Sequence, residues 1–144
     1  MPQAAWTIFT LFKLPHNTAL AVISMKHINR NFPWCDEYSD NSFTGIFHEK
    51  QIWNDEEYFL LENEIYDLTS RLKDTESIQR EAAWRIMRIF SYLMMSLGCH
   101  SNPDDGFKIK NMSSEEHRSR VERLQFVFEG FFRGEMPNKE YLEY

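Results

Sequence analysis

The stretch from Ser77 to Leu97 constrains this chain more than any other. Ala83, Ile86, Phe90, Leu93 and Leu97 recur in steps of three and four, the spacing of one helix face. Ala82, Met87, Ile89 and Met94 widen that face, with Arg85, Arg88 and Tyr92 as its main polar break, so the pattern predicts a central, buried helix. Thr75 or Ser77 supplies a cap at its start. Gly98 suits a left-handed residue just past its end, and the polar run from Ser101 to Gly106 marks the stop.

The 144 residues around this helix are the length of one domain with one core. Ala4 to Leu14 reads as a helix, with a buried strand as the alternative, ended by Pro15, and Asn17 or Thr18 caps a second helix from about Ala19 to His27, with Leu20, Ile23 and Met25 facing inward. From Asn29 to Asn54 periodicity fails. That stretch reads as a long loop, with Phe43 to His48 as a short turn or strand inside it. Asn54 then caps a helix whose first turn is Asp55, Glu56 and Glu57, with Glu57 at the capping-box position, and Tyr58, Leu61, Ile65, Leu68 and Leu72 form its seam. A short turn from Lys73 to Ser77 predicts that this helix and the next pack antiparallel, leaving Glu57, Glu64 and Asp67 on the far side.

Phe107 to Met112 reads as extended, and Ser113 with Glu116 forms a capping box for a last long helix. Val121, Leu124, Phe128 and Phe131 share its inner face, with Arg118, Glu122, Arg123, Glu129 and Arg133 around the rest. Gly130 inside it implies close approach of another backbone, and Gly134 ends it. The expected fold is a mostly α, all-α single domain spanning residues 1–144. It is a bundle of about five helices around a buried central one, with room for one short strand or hairpin in 30–54 or 107–112.

Charge is distributed unevenly. The formal net charge is −6, yet the 35 residues from Pro33 to Asp67 hold ten acids against the single base Lys50, leaving the remainder at +3. An overall acidic chain excludes nucleic acid as a direct partner, because that binding is driven by Lys and Arg neutralising phosphates. The apolar N-terminus lacks the basic region and cleavage site of a signal peptide, and no apolar run approaches the ~20 residues that cross a bilayer. No membrane association and a soluble, cytoplasmic protein are the expectation. Cys35 and Cys99 fit no metal or redox spacing and read as reduced, buried thiols, a single disulfide being the alternative.

Catalytic signatures are missing from the sequence. GxGxxG, GxxxxGK[ST] and GxSxG do not occur, His48-Glu49 lacks the second histidine of HExxH, and Cys99-His100 are neighbours too close in sequence to aim at each other. The seven methionines read as core filler. The expectation is a non-enzymatic protein with no catalytic residues, no metal site and no cofactor.

What remains is the acidic segment, in which Trp34, Tyr38, Phe43, Trp53, Tyr58 and Phe59 are interleaved with the acids. One reading makes these acids a solvated face that meets Arg80, Arg85, Arg88 and the arginines of the last long helix. The other makes them an interface, with rings as anchors and charge steering a basic partner. Its residues are Trp34, Asp36, Glu37, Tyr38, Asp40, Trp53, Asp55, Glu56, Glu57, Glu64 and Asp67. In size, charge, aromatic content and lack of catalytic motifs the chain resembles the small acidic immunity proteins of bacterial contact-dependent growth inhibition and related polymorphic toxin systems. That resemblance implies a protein that binds one cognate toxin domain, a basic nuclease, and blocks its active site or another surface. A non-enzymatic adaptor or regulatory protein-binding module is the alternative.

Overall fold

The computed structural model describes residues 24–142; the expected element at Ala4 to Leu14 and the expected helix from Ala19 to His27 as far as Ile23 lie outside them. Of the rest, Ser24 and Met25 are not helical, while Lys26 and His27 begin a short helix that runs on to Arg30. The elements in order are α1 (Lys26–Arg30), α2 (Phe43–Lys50), α3 (Asp55–Leu72), α4 (Arg80–Ser101) and α5 (Ser114–Arg133), followed by a 3-10 turn at Lys139–Tyr141. The bundle is all-α as expected. Among the described residues there is no strand: Phe43 to Lys50 is a helix, and 107–112 is irregular chain.

Most helix ends follow their sequence signals. The Asn54 side chain accepts the Glu57 N–H at the start of α3, Ser113 and Glu116 form the complete capping box of α5, and Gly134 closes α5 with φ +73°. α4 departs from them at both ends. It begins at Arg80 without a side-chain cap, because the Thr75 hydroxyl bonds to the Leu72 and Ser77 carbonyls and closes the preceding turn instead. It runs through Gly98 to Ser101. The stop comes from Pro103, which holds Asn102 in extended backbone, so Gly98 is an ordinary helical residue.

The long segment after α1 is held by a buried polar hub. Asn31 donates to the His27 carbonyl at the end of α1, while its Oδ1 accepts from Thr44 N–H and its own carbonyl accepts from the Thr44 hydroxyl at the start of α2. Ser42 caps α2 by accepting from Gly45 N–H. Gln51 ends α2 at φ +56°, a left-handed conformation rare outside glycine, and its carbonyl accepts from Lys110 N–H. Asn111 then brackets Trp53 through both of its backbone groups. Irregular chain thus has its polar groups satisfied without joining a sheet.

α3 and α4 make their main contacts with α5 and α1 rather than with each other, which corrects the expected antiparallel pair. Two contacts commit α5 to both neighbours: Arg123 pairs with Glu62 of α3, and Phe128 lies 5.1 Å from Phe90 of α4. The core joins Tyr58, Leu61, Ile65 and Leu68 of α3, Ile86, Ile89, Leu93 and Leu97 of α4, and Leu124, Val127, Phe128 and Phe131 of α5. The buried stripe of α4 is narrower than its apolar residues suggest, since Trp84, Met87 and Met95 are exposed. Gly130 is needed as expected. A Cβ there would lie 2.9 Å from the Glu135 carbonyl oxygen, where the tail crosses α5.

Candidate functional site

The structure divides the acidic segment into two groups of carboxylates. On α3 the acids are largely committed to the fold: Asp55 pairs with Arg120 at 3.4 Å, Glu57 with Arg30 at 3.3 Å, and Glu62 with Arg123 at 2.7 Å. Glu64 accepts the Ile28 N–H at 2.6 Å, and burial pushes its carboxyl above the usual range. Glu57 and Glu64 therefore face α1 rather than solvent. Arg123, expected on the outer surface of the last helix, is buried against α3, and Arg120 is buried with it.

The second group is exposed. Asp36, Glu37, Asp40 and Glu49 lie on or beside the α1–α2 segment, and Glu56 and Asp67 lie on α3. None of the six is in an ion pair with Lys or Arg among the described residues: Glu37 accepts from the neutral Asn29 side chain, and Glu49 meets only His48, at 3.8 Å. Burial together with the charges of Asp40 and Glu49 raises the Tyr38 pKa, and Glu49 also bears on Tyr92. Asp40, Glu49, Tyr38 and Tyr92 thus share one electrostatic neighbourhood.

The rings divide in the same way. Trp53 is 2% exposed and packs on Phe43 at 4.8 Å, on Tyr58 at 5.2 Å and on Phe47 at 6.0 Å, so it is a core residue and offers no surface to a partner. Phe43 and Tyr58 are buried with it. Trp34 stands outside at 61% exposure, stacked on Trp84 of α4 at 5.9 Å with an interplanar angle of 17°. The buried Phe32 ring sits edge-on to both, and the Arg88 guanidinium lies 4.6 Å over Trp34. Trp84 is absent from the residues that the sequence singles out. Its trace was present, because Trp84, Met87, Ser91 and Met95 form a second helical stripe offset from the first, which reads in sequence as a wider buried face.

Trp34 and Trp84 thus form an exposed stacked pair held by the buried Phe32, with Asp36 and Glu37 following Trp34 in the chain. No group of three His, Cys, Asp or Glu able to hold a metal occurs among the described residues, and Cys35 and Cys99 are free and half-buried. No helix among the described residues is long and apolar enough to cross a membrane.

The model of the family Immunity protein 41 matches residues 30–133, and the chain belongs to that family. Its role is accordingly that of an immunity protein, which neutralises a toxin, and its partner is a cognate toxin protein. No curated protein and no solved structure matches the chain.

Proposed function

We propose that this immunity protein neutralises its toxin by direct binding through the acidic surface around Trp34, and that the target is a basic domain, a nuclease. The observation that carries the reading is the set of carboxylates Asp36, Glu37, Asp40 and Glu49, exposed and without Lys or Arg partners among the described residues, beside a ring that is 61% exposed. Acids committed to structure would sit on the arginines, as Asp55, Glu57 and Glu62 do. A nuclease holds phosphates with Lys and Arg, so an array of carboxylates competes for the same cations and steers association. Glu56 and Asp67 extend the field along α3, whereas Asp55, Glu57 and Glu64 are engaged within the fold and add little to it.

The test requires a toxin domain, to be sought among the genes flanking this chain's own. Replacing Asp36, Glu37 and Asp40 by their amides is expected to slow association about tenfold and to flatten its salt dependence, since exposed charges act through a field screened over about 8 Å at physiological ionic strength. A toxin domain that bound the triple variant with wild-type rates and salt dependence would remove this surface from the interface.

A further inference from the structure

We propose that the outward side of α4, from Trp84 through Met87 and Ser91 to Met95, is a second contact strip for the same toxin domain and receives an apolar ridge bordered by basic residues. The inference rests on the toxin-binding reading above and extends it to residues which that reading does not use.

A helix packed in a bundle needs one apolar stripe, and α4 has two. Ile86, Ile89, Leu93 and Leu97 fill the core, while Trp84 is 48%, Met87 45% and Met95 62% exposed on the other side. The four outward positions recur in steps of three and four and extend over about 17 Å at 1.5 Å per residue. The strip makes little demand on water: the Ser91 hydroxyl donates to the Met87 carbonyl, Arg85 is turned to Glu81 and Asn29, and Arg88 lies over Trp34. Methionine side chains adapt to an irregular partner surface more readily than branched ones.

The occupant is indicated by what adjoins the strip. Trp84 stacks on Trp34, so the strip begins where the carboxylate-bearing segment ends, and one bound domain can cover both. Tyr92, next to Ser91, meets the His48 ring at 3.3 Å, and Glu49 lies 3.8 Å from that ring, so a carboxylate stands beside the strip's middle turn and calls for cations at the edge of the partner's ridge. Every residue of the strip lies within the span 30–133 matched by the family model.

The experiment measures binding of that toxin domain to the wild-type chain, to W84A and to the double variant M87A/M95A, with melting and sedimentation of each. Trp84 touches the buried Phe32 and its loss can weaken the fold, whereas Met87 and Met95 are exposed, so the double variant keeps the test clean. The expected result is dissociation faster by about thirtyfold for W84A and about tenfold for M87A/M95A, with association rates and the melting of the double variant unchanged. Wild-type dissociation for M87A/M95A, from a toxin domain that the amide variants of the acidic surface bind slowly, would overturn the strip and leave the acidic reading standing. A wild-type dimer that the double variant splits would assign the strip to a second copy instead. Failure of the wild-type chain to bind the toxin domain would overturn both readings.

Discussion

Arg123 grips Glu62 with two parallel hydrogen bonds, Nε to Oε2 at 2.8 Å and Nη2 to Oε1 at 2.7 Å, with the glutamate 1% and the arginine 6% exposed. The planar fork of the guanidinium matches the carboxylate, and a further N–H of Arg123 reaches the Leu142 carbonyl, tying the tail to the same point. An acid of the anomalous segment is thus a structural tie between α3 and α5, on the side of the bundle that also receives the C-terminal tail.

Removing one member of that pair strands the other charge in the interior. Arg123→Met is expected to cost about 3–5 kcal/mol, and adding Glu62→Leu to it should restore much of the loss, because two apolar groups leave no unpaired charge. Denaturant midpoints of the two single variants and the double variant check this. A double variant no more stable than either single one would refute the account.

Trp53→Ala should act on stability and leave partner kinetics alone. Its ring fills a cluster with Phe43, Phe47 and Tyr58, so truncation is expected to cost about 3–5 kcal/mol. Phe90→Ala should fall below that range because Phe90 is only half-buried, whereas the fully buried Leu93 should lose about 2–5 kcal/mol on truncation to Ala. Thermal melts of the three variants give the ranking.

Gly130→Ala brings a methyl to 2.9 Å from the Glu135 carbonyl oxygen, 3.0 Å from Pro137 Cδ and 3.1 Å from Met136 Sδ. The ~1 kcal/mol gained in helix propensity should be outweighed by about 1–3 kcal/mol of overpacking. Lower melting, together with faster hydrogen exchange at the Glu135 N–H that bonds to the Gly130 carbonyl, is the expected result.

Two carboxylates set opposite pH dependences. Burial holds Glu64 above its ordinary value of 4.5, so its contribution to stability is fully present below 4.5 and is lost as pH rises through the raised folded value. Glu116 is held below 4.5, chiefly by the Ser113 backbone N–H, so its contribution is present above 4.5 and is lost as pH falls through the lowered value. Relative to wild type, Glu64→Gln should lose stability as the medium is acidified toward pH 4.5, and Glu116→Gln should lose it as the pH rises from its lowered folded value toward 4.5. Urea midpoints measured from well below pH 4.5 up to neutrality give both slopes.

Where the controlling physics is local, the sequence alone was sufficient. A carboxamide or hydroxyl three residues ahead of an unpaired backbone N–H and a glycine at a left-handed position are local signals, which is why Asn54, Ser113 and Gly134 mark real boundaries and why the seam from Tyr58 to Leu68 is core, although Thr75 and Ser77 do not cap α4. The close approach implied by Gly130 belongs to the same class. Only the tertiary structure decided how wide the buried face of α4 is: the spacing picks out Ile86, Leu93 and Leu97, but that Ile89 joins them in the core while Met87 stays outside depends on how the neighbouring helices pack. The same holds for the acids. Burial of an arginine depends on a carboxylate more than 60 residues away, as with Glu62 and Arg123, so spacing could not separate acids committed to the fold from acids left for a partner. Trp53 and Trp34, equivalent in sequence as rings among acids, ended on opposite sides of the surface because Phe43, Phe47 and Tyr58 enclose one, while Phe32 and Trp84 hold the other in the open.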